Sequence, residues 1–132
     1  METITVKTSN RCQMIDVTDR VQQAVQQDGI KQGFAVCFVP HTTAAVTIQE
    51  NADPDVLHDV LWKLDQLIPQ RESAYRHSEG NSDAHLKCSA VGVSQLVPVQ
   101  DGRLVLGTWQ GLYFCEFDGP RSRRLIVQCV GR

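Results

Sequence analysis

Apolar and polar residues alternate with two different periods along the chain, and the switches between them divide it into elements. Ile4 and Val6 alternate with Thr3, Thr5 and Lys7, which predicts an opening strand with one wet face. Ser9-Asn10 marks a turn, and Cys12 to Ile15 is expected to be the returning strand. Val17, Val21 and Val25 then recur at four-residue spacing, the buried stripe of a helix that starts at Asp16 or Thr18 and ends at Asp28-Gly29. Gly33 to Val39 is apolar at odd and even positions alike, so a central strand covered on both sides is expected there. After Pro40 the segment His41 to Glu50 alternates again. His41, Thr43, Ala45, Thr47 and Gln49 share one face, and Glu50 lies on the other. If this strand is regular, His41 and Glu50 share a site only through a bend or between subunits.

Asp53-Pro54 has the chemistry of a helix start, and Leu57, Val60, Leu61, Leu64 and Ile68 form the apolar stripe of that helix up to Pro69. Gln70 to Ala84 has no periodicity and predicts a long functional or disordered loop. His85 to Val91 alternates, with His85, Lys87 and Ser89 on one face of an expected strand. Leu96–Val99 and Arg103–Leu106 flank the hairpin signal Asp101-Gly102. Gly107-Thr-Trp-Gln-Gly111 interrupts the pattern, and Leu112–Phe117 and Leu125–Val130 are the last strands. Eight or nine short strands and two helices, joined mostly by connections too short for parallel crossovers, predict a mainly β fold of the α+β class. The expectation is a compact antiparallel β-sandwich over residues 1–132, one domain, with helices at one side or edge.

Composition narrows the function classes. The formal net charge of −2 gives no support to sequence-independent nucleic-acid binding or to an anionic membrane surface. The only basic cluster, Arg121, Arg123 and Arg124, is short. No apolar run approaches bilayer length, and the N-terminal residues lack the plan of a signal peptide. The 5 cysteines form no Cys-x-x-Cys pair, so reduced, buried thiols in a cytoplasmic protein are expected. Cys88 or Cys115 as a nucleophile lacks a basic neighbour that would favour the thiolate.

Two constellations carry chemistry. His41, His77 and His85, with Glu50, Asp53, Glu79 and Asp83 near them in sequence, are donors suited to zinc or a similar divalent ion. The competing reading makes His77 a solvated loop residue and His41 a hydrogen bonder at a strand edge. His58, on the predicted helix, is a structural or surface residue. The second constellation is Lys87 and Ser89 beside His85, the hydroxyls of Thr42 and Thr43, and Trp109-Gln110 between two glycines. Lysine and hydroxyls suit a phosphate, and the indole suits a flat ring; the competing reading is a solvated lysine and a core tryptophan. No Walker loop, dinucleotide fingerprint or nucleophile elbow is present.

The run His41-Thr-Thr-Ala-Ala-Val-Thr-Ile-Gln-Glu-Asn-Ala-Asp-Pro54, then Tyr75-Arg-His77, Asp83-Ala-His-Leu-Lys87, Gly107-Thr-Trp-Gln-Gly111 and Glu116-Phe-Asp-Gly-Pro-Arg121 together resemble the YjbQ family. The resemblance covers nearly the whole chain. It implies a compact β-sandwich, a homotrimer with sites near subunit contacts, and the family's frequent label of secondary thiamine-phosphate synthase. That activity joins a hydroxymethylpyrimidine diphosphate to a thiazole phosphate with loss of pyrophosphate. By motif, the site residues implied are His41, Glu50, His77, His85, Lys87, Trp109 and Gln110. In the enzyme reading His41, Glu50 and His85 do acid–base work or, with His77, hold a metal, and Thr42, Thr43 and Lys87 hold the phosphate. Magnesium suits diphosphate chemistry, whereas the histidines suit zinc. The alternatives are a metal-dependent hydrolase, a non-catalytic small-molecule or metal-binding module, and a purely structural trimer.

Overall fold

Two antiparallel sheets face each other across the main core. The computed structural model describes residues 1–132 without a gap. The chain runs β1 (Glu2–Lys7), β2 (Gln13–Asp16), α1 (Thr18–Asp28), β3 (Gln32–Phe38), β4 (Ala44–Glu50), α2 (Pro54–Leu67), α3 (Ser82–Val91), β5 (Ser94–Gln100), β6 (Arg103–Leu104), β7 (Gln110–Glu116) and β8 (Ser122–Gly131). One sheet has the order β1-β8-β3-β5-β6 and the other β2-β7-β4. The mainly β sandwich and the antiparallel pairing expected from the short connections are both present. Its core takes Ala35, Cys37, Val97, Val99, Leu125 and Val127 from the larger sheet and Ala44, Val46, Leu112 and Phe114 from the smaller.

The helices follow their stripes. α1 places Val21, Ala24 and Val25 in the core, and Gly29, at φ 85°, stops it by donating its N–H to Val25 O. α2 begins at Pro54, and the Asp53 carboxylate accepts the Asp55 N–H at 2.9 Å. Its Leu61 and Leu64 lean on the small cluster of Ala45, Ala84, Cys115 and Phe117 beside the smaller sheet. No residue of α2 is fully buried.

Three expectations need correction. Cys12–Ile15 does not return along the first strand: β1 pairs with β8, while β2 joins the other sheet against β7. β3 is central in its sheet but covered on one side only. Ala35 and Cys37 are buried, whereas Phe38, on the opposite face, is 41% exposed. His85–Val91 is not a strand but most of a third helix, α3. Its buried positions are Asp83, Ala84, Lys87 and Cys88, a helical spacing in which two of the four members are charged. Counting apolar residues alone hides that stripe. Alanine, leucine and lysine favour the helix, and the segment has no β-branched residue before Val91.

A polar cleft at one end of the smaller sheet

The cleft grows out of two buried ion clusters. In the first, Arg123 of β8 is 4% exposed and Glu116 of β7 is fully buried. Arg123 donates from Nε to Glu116 Oε1 and Oε2 at 2.9 and 3.1 Å, and from Nη2 to Thr43 Oγ1 at 2.8 Å. Glu116 also accepts the Thr8 hydroxyl at 2.8 Å and the N–H groups of Phe117 and Asp118 at 3.1 Å each. Burial alone would raise its pKa, but these donors outweigh that and hold the carboxyl below its ordinary range. The guanidinium Nη1 bonds to no protein atom.

In the second cluster Arg11 forms a two-pronged pair with Asp83, at 3.0 Å on each prong. Lys87, 1% exposed, contacts Asp83 at 3.4 Å and pairs closely with Asp65 of α2. Burial works against the Asp83 charge, but Arg11 and Lys87 still hold this carboxyl low. Burial likewise works against the Lys87 charge, yet Asp65 and its neighbours raise its pKa.

Between these clusters lies a cleft of about 360 Å³ with no hydrophobic side chain in its lining. The segment Pro40–Thr43, between β3 and β4, forms one wall. Glu79, Asn81 and His85, around the start of α3, form another, and Asp118, Arg121 and Arg123 close the third. Arg121 is held by Asp118, from Nε to the carbonyl at 2.8 Å and from Nη2 to Oδ2 at 2.9 Å. Asn81 donates to the same Oδ2 at 2.8 Å, which fixes its amide orientation because a carboxylate only accepts. Its Oδ1 is then a buried acceptor with no partner.

His41 is locked in one tautomer. The backbone N–H of Arg124 donates to its Nε2 at 3.0 Å, so the ring proton resides on Nδ1. Burial, then the nearby charges of Arg123 and Arg124, push its pKa down. His41 is therefore a neutral hydrogen-bond donor at the cleft wall rather than a base through Nε2.

The expected site residues separate into groups. His41, Thr42, Thr43 and His85 do line the cleft. His77 stands beside it, its ring edge-on to His85 with centroids 5.3 Å apart, and its Nε2 lies 3.7 Å from Glu79. Lys87, two residues on from His85, faces the opposite way and is engaged by two carboxylates, because residues two apart on a helix do not share a face; Ser89, four residues on, is on the His85 side of α3 but one turn further along and exposed. Neither lines the cleft. Glu50, Trp109 and Gln110 sit at the far end of β4 and β7, where Glu50 pairs in register with Gln110. Seven strand residues put them about 20 Å from Ala44. Trp109 is 64% exposed, the Glu50 carboxylate accepts the Asp53 N–H at 3.2 Å, and the Gln110 amide accepts the Gly107 N–H at 2.8 Å. His58 is an exposed helix residue beside Asp59. Within one chain, then, the Trp109 group and the histidine group form no common site.

The histidines do not assemble a metal site as they stand. No three His, Cys, Asp or Glu side chains converge in a ligating arrangement, and the His41 nitrogen that would commonly ligate is taken by the Arg124 N–H. Cys88 and Cys115 sit where the thiolate is disfavoured. Burial pushes the Cys115 thiol up to about 12 and raises that of Cys88. The cleft residues given no site role in the sequence are Asn81, Asp118, Arg121 and Arg123, while Glu79 was named only among the donors near the histidines. The sign of them was the Arg121–Arg124 cluster immediately after the turn Asp118-Gly-Pro.

This architecture defines a class: two facing antiparallel sheets, one helix packed into the core they share and two beside the smaller sheet, and a polar cleft where the strand connections meet. The chain belongs to the YjbQ-like UPF0047 protein family, whose profile matches residues 2–132. It is 51% identical over 131 residues to the UPF0047 protein YugU of Bacillus subtilis, covering 99% of both chains. It is 49% identical over 126 residues to a UPF0047 protein of Methanocaldococcus jannaschii, covering 96% of this chain and 91% of that one. Among solved structures, an uncharacterised YjbQ/UPF0047 protein of Clostridium acetobutylicum superposes with a TM-score of 0.96 at 51% identity, over 98% of this chain and 100% of that one. A YbjQ-like protein of unknown function from Sulfolobus solfataricus gives 0.95 at 35% identity, over 99% of this chain and 96% of that one. The family expected from the motifs is the family found. No helix is long and apolar enough to cross a membrane.

Proposed function

We propose that the chain binds a phosphorylated small molecule in the polar cleft and acts on it as a transferase of the thiamine-phosphate synthase type. The observation that carries the binding half is the lining itself. Arg123 Nη1, the locked Nδ1–H of His41 and the Thr42 hydroxyl are donors without protein acceptors, gathered in a cavity whose lining is polar or charged apart from Pro40. Donors preorganised in this way suit the oxygens of a phosphate or of a departing pyrophosphate. His85 is the cleft imidazole left free to move a proton. The transferase half rests on the family resemblance alone. In that reaction the pyrimidine methylene–oxygen bond breaks, the thiazole nitrogen bonds to the methylene carbon, and pyrophosphate leaves with the electron pair.

Calorimetric titration with pyrophosphate, for wild type and Arg121→Ala, tests the binding half. Weaker binding in the variant is expected, and equal binding would sink the cleft. Mixing the two phosphorylated precursors and detecting thiamine phosphate by mass spectrometry tests the chemistry. Binding without product would favour the non-catalytic module over an enzyme.

The same reading extends to self-association. Phe34, Val36 and Phe38 of β3, Leu96 of β5, and Ile126 and Val130 of β8 meet in register on the outer face of the larger sheet. Leu96 and Val130 are 59% and 47% exposed. A largely apolar face of this kind, with Gln128 opposite Val36 and Ser94 opposite Phe38, suits a second and third copy of the chain. Light scattering after size-exclusion should give three chain masses, and Phe38→Asp should lower that number.

A further inference from the structure

We infer that the ligand of the cleft has two parts: an anionic group held in the cleft, and a flat ring lodged in a neighbouring hollow on the other side of His85. The inference rests on the phosphate reading above and adds where the remainder of the ligand goes. A hollow of about 420 Å³ adjoins the cleft, and the His85 imidazole belongs to both linings. The two differ in chemistry. The cleft has no hydrophobic residue in its walls, whereas the hollow has Ala74, Tyr75 and Leu86 beside His77.

Three features make the hollow suited to a flat ring. His77 and His85 meet edge to face, with centroids 5.3 Å apart at 86°, which presents aromatic surface from both rings. Tyr75 is anchored, its hydroxyl donating to Pro69 O at 2.8 Å, so its ring is held while half-buried. Leu86 is 47% exposed although it projects from a helix whose other face is packed, so its apolar surface is available to a ligand. Trp109, the aromatic that the sequence offers for stacking, belongs to the far end of β4 and β7 and does not reach the cleft within one chain.

The experiment compares methyl phosphate with benzyl phosphate by calorimetry on the full chain, which separates the anion from the ring. Benzyl phosphate should bind about tenfold tighter than methyl phosphate. Leu86→Gln, at an exposed position, should abolish that preference while methyl phosphate binding stays unchanged. Ala74→Trp, also exposed, should do the same by filling the hollow. Arg121→Ala should weaken both probes by the same factor. Equal binding of the two probes to wild type, or a preference untouched by both hollow variants, overturns the bipartite site and leaves the cleft intact. No binding of either probe overturns the cleft reading and this inference together.

Discussion

Replacing Glu116 with glutamine tests how much of the fold depends on one buried carboxylate. Glutamine keeps the shape, so no cavity opens. It removes the charge opposite Arg123, which is only 4% exposed, and substitutes a donor for one of two oxygens that together accept from Thr8, Arg123 and two backbone N–H groups. Breaking a buried pair from one side costs about 3–5 kcal/mol, because the remaining charge stays buried without its partner. With an unfolding entropy of about 2.1 cal/mol/K per residue, 132 residues give about 0.28 kcal/mol/K. The melting temperature should therefore fall by roughly 11–18 °C. Circular dichroism melts at matched protein concentration measure it. Adding Arg123→Met to the glutamine variant should recover part of the loss, since the stranded charge is removed. A fall under about 4 °C, or a double variant no better than the single one, would refute the reasoning.

The same clusters set the pH response. Asp83 and Glu116 have folded pKa values below their unfolded ones, so their stabilisation is complete above about pH 5 and is lost as pH falls through the depressed values. Lys87 has a raised value, so its contribution is complete below about pH 10 and is lost as pH rises further. Melting temperature against pH should thus show a plateau with a steep acid arm and a late alkaline arm; a decline beginning near pH 7 would contradict both assignments. The His41 tautomer is checked by proton–nitrogen correlation spectra of the neutral side chain, where Nε2 should carry the unprotonated shift. Iodoacetamide at pH 7.5 should leave Cys37 and Cys115, both pushed up to about 12, unmodified in the folded protein and modify all 5 cysteines after unfolding, as read by mass spectrometry.

Much of the scaffold was legible because it obeys apolar periodicity. The valine stripe of α1, the Asp53-Pro54 start of α2 and the hairpin around Asp101-Gly102 all sit where the pattern puts them. The misreading of α3 has a clear physical origin. A sequence pattern treats charge as solvent-facing, and this chain buries Asp83, Lys87, Glu116 and Arg123. Asp83 and Lys87 occupy core positions of α3, so its stripe looked like the alternation of a strand and placed Lys87 and Ser89 beside His85. Register was out of reach for a different reason. Which strand β2 pairs with depends on contacts distant in sequence, and a turn at Ser9-Asn10 fits a crossing between sheets as well as a hairpin. His41 was recognised as a site residue, but its role was not. The Arg124 N–H that fixes its tautomer lies 83 residues away along the chain.

The buried charges and the cleft are parts of one construction. Apolar contacts hold sheets together over a broad area but do not fix the orientation of a short connecting segment, whereas ion pairs with directional hydrogen bonds do. Thr43 is tied to β8 through Arg123, and the β7–β8 turn is tied to β1 through Glu116 and Thr8. The start of α3 is tied to Arg11 through Asp83. Those three segments are the walls of the cleft. Gly119 shows how tightly they are drawn. A Cβ placed there would lie 2.3 Å from Asn10 O and 2.8 Å from both Glu116 Cγ and Thr8 Oγ1, so any side chain pushes the turn away from the cluster. Gly119→Ala should therefore lower the melting temperature and the affinity for pyrophosphate together. The distant, exposed Gly29→Asn should lower neither appreciably, because asparagine tolerates the left-handed conformation and nothing lies within 4 Å. If Gly119→Ala weakened the fold and left the affinity unchanged, the ion clusters would be scaffold for the sandwich alone, and the walls of the cleft would have to be held by something else.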